Sequence, residues 1–213
     1  MERDPARRHR RRWWVASIIV VALSACSTSD PQPTATEPST SGTPATDRER
    51  AALTARLGEV DAAVTAWQES TDLAGARAAA ERARNLIVGP AGPYYGDADG
   101  DGSIGGQSDI GLLPGLDGEA GIATDGFDAC VTRDVLGGSW TDPAERWAIL
   151  DAKIQQWSPG NNTFPSLPSH PQRIIGWATL ALGATTLDEA LEYGGHAHLH
   201  IGIASGAAAG CDD

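Results

Sequence analysis

Apolar residues recur every three to four positions in five separate stretches of the chain, and each stretch opens on residues suited to start a helix. Leu53, Leu57, Val60, Val64 and Trp67 make the first stripe, the spacing of a helix that buries one face. Thr46-Asp47-Arg48-Glu49 ahead of it fits a capping box, in which Thr46 and Glu49 satisfy each other's backbone N–H. A second helix starts after Thr71, presents Leu73, Ala76, Ala80, Ala83 and Ile87, and stops at Gly89-Pro90. Asp142-Pro143-Ala144-Glu145 opens a third, whose stripe is Trp147, Leu150, Ile154 and Trp157, with Pro159-Gly160 as its stop. A fourth runs from about Ser169 through Ile174, Ile175, Trp177 and Leu182 to Gly183. The last begins at Thr186, with Glu189 completing a capping box, and extends to about Ala207. No segment sustains the period-two alternation of a half-buried strand. The pattern predicts an all-α fold, a four- to five-helix bundle, with Trp67, Trp147, Trp157 and Trp177 as core residues on its stripes.

Residues 89–141 interrupt this pattern with some 50 residues of irregular chain. A stretch of that length inside a compact domain is usually functional or disordered. Between Gly89 and Thr132 lie eight acids, twelve glycines and no lysine or arginine. Glycine is costly to order, yet Leu112, Leu113, Leu116, Ile122 and Phe127 punctuate the segment as an unfolded linker would not. A bound cation reconciles the two, because it neutralises carboxylates and fixes the turns between them. Asp97-Ala98-Asp99-Gly100-Asp101-Gly102-Ser103-Ile104 has the alternation that such a site needs. A calcium loop takes oxygens from positions 1, 3, 5, 7, 9 and 12, with glycine at 6. Asp97, Asp99 and Asp101 then fall at 1, 3 and 5, Gly102 at 6, and the Ser103 carbonyl at 7. Position 12 is Ser108, so the closing carboxylate is sought one residue later, at Asp109. Over about a dozen residues the stretch resembles the calcium loops of EF-hand and dockerin modules. Gly111, Pro114 and Gly115 leave no room for the exiting helix of a full EF-hand, which implies a lone structural Ca²⁺ loop rather than a paired sensor. The wider pattern, from Tyr95-Gly96-Asp97 to Gly111-Leu112-Leu113-Pro114, resembles uncharacterised secreted bacterial helical proteins and implies no activity. A second cation site from Asp117, Glu119, Asp125 and Asp128 follows no recognisable spacing.

The amino terminus reads as an export signal. Arg7, Arg8, Arg10, Arg11 and Arg12 precede an apolar run from Trp13 to Leu23, too short to span a bilayer, which ends in Leu23-Ser24-Ala25-Cys26. This resembles the bacterial lipoprotein signal, in which cleavage precedes the cysteine and lipid is added to it. The resemblance implies a signal peptide over 1–25 and a lipidated Cys26, with the protein anchored to the cell membrane on its extracytoplasmic face. A Ser/Thr/Pro tether over 26–47 and a helical domain over 48–213 follow. The tether has too little apolar surface to offset its ordering entropy. Cys130 and Cys211 then remain, and outside the cytoplasm two such cysteines are expected to pair as a disulfide. The chain carries −12; six arginines against two acids precede Cys26, which leaves −16 beyond them. That surface repels phosphate backbones, so nucleic acid is not an expected partner. No protein or ligand partner can be named.

His196, His198 and His200 cluster in Gly194-Gly195-His196-Ala197-His198-Leu199-His200. On a helix Glu192, His196 and His200 share a face and can chelate Zn²⁺ or Cu²⁺. The same face can equally be solvated or packed, with His198 turned to the core beside Leu191 and Ile201. Gly-x-Ser-x-Gly, His-Glu-x-x-His and phosphate-binding glycine loops are all absent from the sequence, so no catalytic residue is assigned. The expected function is a surface-anchored, non-enzymatic lipoprotein that binds Ca²⁺ for structural or adhesive purposes. A transition-metal or solute binder using the histidines is the alternative, and an extracytoplasmic hydrolase with a calcium-stabilised loop a third.

Overall fold

The computed structural model describes residues 45–157 and 163–210. The export signal, Cys26, most of the tether, Pro159-Gly160 and Cys211 lie outside the described residues. Five α-helices carry the architecture: α1 Asp47–Gln68, α2 Leu73–Val88, α3 Pro143–Gln155, α4 His170–Gly183 and α5 Leu187–Ala209. A π-helical turn, Val131–Leu136, and a short 3₁₀ turn, Phe164–Ser166, complete the helical elements, and there is no strand among the described residues. The expected all-helical bundle is therefore present. None of these helices is long and apolar enough to cross a membrane.

Side chains that bond to nearby backbone set the helix starts. Thr46 accepts from the Glu49 N–H at 3.3 Å while Glu49 accepts from the Thr46 N–H at 2.7 Å. Asp72, Asp142, Ser169 and Thr186 each accept an N–H three residues on. Glu189 departs from a strict box, because its carboxylate takes the Thr185 N–H rather than that of Thr186. Such caps satisfy donors that the first turn leaves orphaned.

Four of the helices close a ring: α1 packs on α2, α2 on α4, α4 on α5, and α5 back on α1, while α3 touches this ring through α4. Leu53, Leu57, Val60, Val64 and Trp67 of α1 are buried, as are Ala76, Ala80, Ala83 and Ile87 of α2 and Ile174, Ile175 and Trp177 of α4. Trp67 of α1 ties that helix to its neighbour α5 by donating its indole N–H to the Ala190 carbonyl at 2.8 Å. Gly194 makes room for that ring, since a Cβ there would stand 3.2 Å from Trp67 Nε1.

Residues 89–128 hold only turns and bends, and the chain regains helix at the π-helical turn, inside what the sequence assigns to the irregular 89–141 segment. The second half of that segment docks by apolar burial and backbone pairing. Leu112, Leu113, Ala123 and Phe127 are buried, whereas Leu116 is exposed and Ile122 only half-buried. Leu112 and Leu113 donate to the Leu86 and Ile87 carbonyls at the end of α2, and Ile122 and Ala123 donate back to Gly111 and Leu112. Arg56 of α1 donates to both the Leu86 and Ile110 carbonyls, and Trp147 of α3 to that of Pro114.

This docking depends on two glycines. Gly89 has φ +67°, and a Cβ on it would lie 2.2 Å from the Gly111 nitrogen; a Cβ on Gly111 would lie 2.3 Å from the Val88 carbonyl oxygen. Both obstacles are backbone and cannot rotate away. Gly111→Val is therefore expected to lower stability by about 3 kcal/mol, measured as a fall in urea midpoint.

Candidate metal centre

Between Gly96 and Gly106 the chain folds over α2, held by two side chains one helical turn apart. Glu81 is 1% exposed. Its Oε2 accepts the N–H groups of Ala98 (2.5 Å) and Asp99 (3.0 Å), and its Oε1 accepts that of Gly105 (2.7 Å). Asn85 donates Nδ2 to the Gly96 and Gly105 carbonyls at 3.0 and 2.8 Å and accepts the Gly96 N–H at 3.1 Å. Gly106, at φ +71°, fits closely against the helix: a Cβ there would meet the Arg82 carbonyl oxygen at 2.5 Å. The loop's position is thus fixed by the fold around it.

Inside the loop the aspartates turn their own backbone. Asp97 accepts the Gly100 and Gly102 N–H groups at 2.9 and 3.0 Å, Asp99 that of Asp101 at 3.0 Å, and Asp101 that of Ser103 at 2.7 Å. Gly100 and Gly102 have φ of +78° and +89°, which the sharp reversals between acids require. Glu81, Asp97 and Asp99 each offer a carboxylate oxygen, and the three atoms lie within 4.8 Å of one another. It is the one such grouping of acid, histidine or cysteine side chains among the described residues, and it could hold a metal ion.

Electrostatics agree with that capacity. Burial raises the Asp99 carboxyl above its ordinary range, and the negative charges of Glu81, Asp101 and Asp97 raise it further, against the pull of the Asp101 N–H. A cation would relieve that repulsion. A positive charge near Glu81 is Arg84, 6% exposed, whose guanidinium feels the Glu81 carboxylate and stands 6.0 Å from the Tyr94 ring centre. Burial lowers the pKa of Arg84 and Glu81 raises it.

The structure thus brings together Asp97 and Asp99 of the expected ligand set and adds Glu81, which the sequence reading missed. The side chains of Asp101 and Asp109 stay outside the three-carboxylate group. Asp109 is exposed, beside Gln107 and Ser108. A signal for Glu81 was present: it is the sole acid of α2, in the helix that leads into the acidic loop.

The histidine expectation is corrected. His198 is exposed and not in the core. The buried imidazole is His200, 8% exposed, and its Nδ1 faces His170 Nδ1 at 3.0 Å. His196 lies flat on Trp177, with centroids 4.2 Å apart and planes at 12°, and Glu192 is exposed. Glu192, His196 and His200 therefore do not form a ligand group. The rotation of α5 explains it: Ala190, Gly194, Ala197, Ile201 and Ala204 face the bundle, which carries His200 inward and His198 outward.

Comparison of the chain with protein-family models, with curated proteins and with solved structures gives no match.

Proposed function

We propose that the chain is a lipid-anchored, extracytoplasmic helical protein, non-enzymatic, whose acidic loop binds Ca²⁺ to fasten residues 96–106 for a structural or adhesive role. The observation that carries this reading is the meeting of Glu81 from α2 with Asp97 and Asp99 from the loop. Ca²⁺ binds oxygens at about 2.3–2.6 Å, so two ligands of one ion stand at most about 5 Å apart. Mg²⁺, at about 2.0–2.1 Å and in strict octahedra, demands a tighter cluster. Three carboxylates within 4.8 Å of one another suit a hard, oxygen-binding cation, and the Asp97-x-Asp99-x-Asp101-Gly102 alternation points to Ca²⁺. Glu81 then takes the closing role expected of Asp109, and the ion links loop to helix.

The anchor rests on Leu23-Ser24-Ala25-Cys26 behind its basic and apolar segments. The disulfide reading rests on Cys130, buried beside the π-helical turn that packs on α5, and on Cys211, two residues beyond the end of α5. Such a bridge would hold the carboxyl terminus to the end of the irregular segment.

The test is chelation of the purified protein followed by limited proteolysis and melting. EGTA is expected to lower Tm and to admit cleavage within 96–106, while 110–128, held by its own apolar contacts, stays protected. Added Ca²⁺ should reverse both effects, with stabilisation that grows with the logarithm of its concentration. Cleavage and Tm unchanged by EGTA would count against the proposal.

A further inference from the structure

The geometry points to the His170–His200 pair as a proton-operated latch that joins the start of α4 to the middle of α5 and opens on acidification. The two Nδ1 atoms face each other at 3.0 Å, with ring centroids 5.1 Å apart and planes at 50°. At that distance a hydrogen bond requires one nitrogen to carry a proton and the other a lone pair. Two neutral imidazoles satisfy this when one adopts the Nδ1–H tautomer, and a singly protonated pair satisfies it too. A doubly protonated pair cannot, because two N–H groups and two positive charges would then confront each other.

The surroundings sharpen the change. Arg173 on α4 and Arg133 and Asp134 on the π-helical turn act on His170; Arg173 and His196 act on His200. Asp134 is already bound through both oxygens to Arg133, at 2.9 and 2.7 Å, and Arg173 donates to the Leu167 carbonyl. Little free negative charge is left to compensate a second imidazolium. Burial, chiefly, lowers the proton affinity of both rings, and His200 is brought down to about 4. The sign follows: the unfolded chain binds these protons at about pH 6.5 and the folded pair only lower, so stability present above 6.5 is lost as pH falls towards 4.

What the latch would release is defined by the packing beside it. Gly137, at φ +72°, ends the π-helical turn against Ser169, where a Cβ would sit 2.8 Å from the Ser169 nitrogen. Arg146 of α3 donates to the Leu136 and Gly137 carbonyls at 2.9 and 2.7 Å. Parting of His170 from His200 would therefore loosen the π-helical turn and the first turn of α4 together, and leave Trp67 and the α1–α2 side of the core in place.

The experiment is ¹⁵N–¹H NMR of the histidine rings together with amide-exchange protection factors, on the full chain between pH 7 and 3. One of the two rings is expected in the Nδ1–H tautomer at pH 7. The two should titrate in separate steps, and protection over 131–137 and 169–172 should drop about tenfold or more across the second step while amides around Trp67 keep theirs. In His170→Gln, the pH dependence of protection at those amides should fall well below that of wild type. Independent titration of both rings near the ordinary value, or protection indifferent to pH, would overturn the latch. So would tight uptake of Zn²⁺ from ZnCl₂ that is lost in His170→Gln, since the pair would then be a metal site.

Discussion

Glu81→Ala is expected to destabilise the protein by about 3 kcal/mol or more and to abolish its response to calcium. The carboxylate is buried in the middle of α2 and accepts three loop N–H groups. Losing the acceptor while the donors stay turned inward costs about 1–3 kcal/mol for each group left unpaired. Water reaching the partly exposed loop reduces the total below a threefold sum. Glu81→Gln preserves volume, but its amide nitrogen must face an N–H donor, so it should recover only part of the loss. The double variant Asp97→Asn/Asp99→Asn separates stability from binding. It keeps Glu81 and its amide partners and removes two like charges, but the amide that replaces the Asp97 carboxylate must turn its nitrogen toward the Gly100 or the Gly102 N–H. In EGTA a loss of about 1–2 kcal/mol is therefore expected, smaller than that of Glu81→Ala. Calcium should no longer stabilise it. If Glu81→Ala melts like wild type in EGTA, the loop is not held to α2 in the way described.

The second large effect belongs to the core. Trp67→Ala should cost about 3–5 kcal/mol, because the indole is wholly buried between α1 and α5 and bonds to the Ala190 carbonyl. Trp67→Phe fills much of the space and should cost less: both variants lose the indole bond to the Ala190 carbonyl, which keeps its partner within α5, so the difference between them reflects ring volume. Equilibrium unfolding in urea reads both variants. A loss below about 1 kcal/mol for Trp67→Ala would mean that α5 does not pack over α1 as the structure has it. Calcium should still stabilise both variants, since the loop lies on α2.

Five helices could be read from the chain because their signals are local. Thr46, Asp72, Asp142, Ser169 and Thr186 cap N–H groups only three residues away, and a stripe such as Leu53 to Trp67 needs only the helical period to be recognised. The same locality explains what was missed. Glu81 reads as an exposed acid in an alanine-rich helix until a loop beginning 15 residues later folds back over it, and no spacing rule encodes that return. His200 and His198 were exchanged for another reason. The buried face of α5 is mostly alanine and glycine, whereas its bulky apolar residues Leu199 and Ile203 are exposed, at 61% and 40%. Of the two apolar residues that pointed His198 inward, Ile201 is buried but Leu191 is only half-buried, so they did not mark the buried face. The π-helical turn had no signal at all, since six residues carry too little periodicity to separate it from loop.

The irregular segment also divides more finely than its composition suggested. Its second half has an apolar floor and backbone partners, so it needs no ion. Its first half, with three loop aspartates over a buried glutamate, gathers negative charge that raises the Asp99 carboxyl, while Arg84 acts on Glu81. The proposed cation site is accordingly confined to residues 96–106 with Glu81 and does not extend over the whole insertion.

The most direct measurement is a calorimetric titration of Ca²⁺ into the chelator-treated protein, wild type beside Asp97→Asn/Asp99→Asn. The proposal predicts one saturable site in the wild type, no heat of binding in the double variant, and the same far-ultraviolet circular dichroism for both. No binding by the wild type, or equal binding by the two proteins, would contradict it.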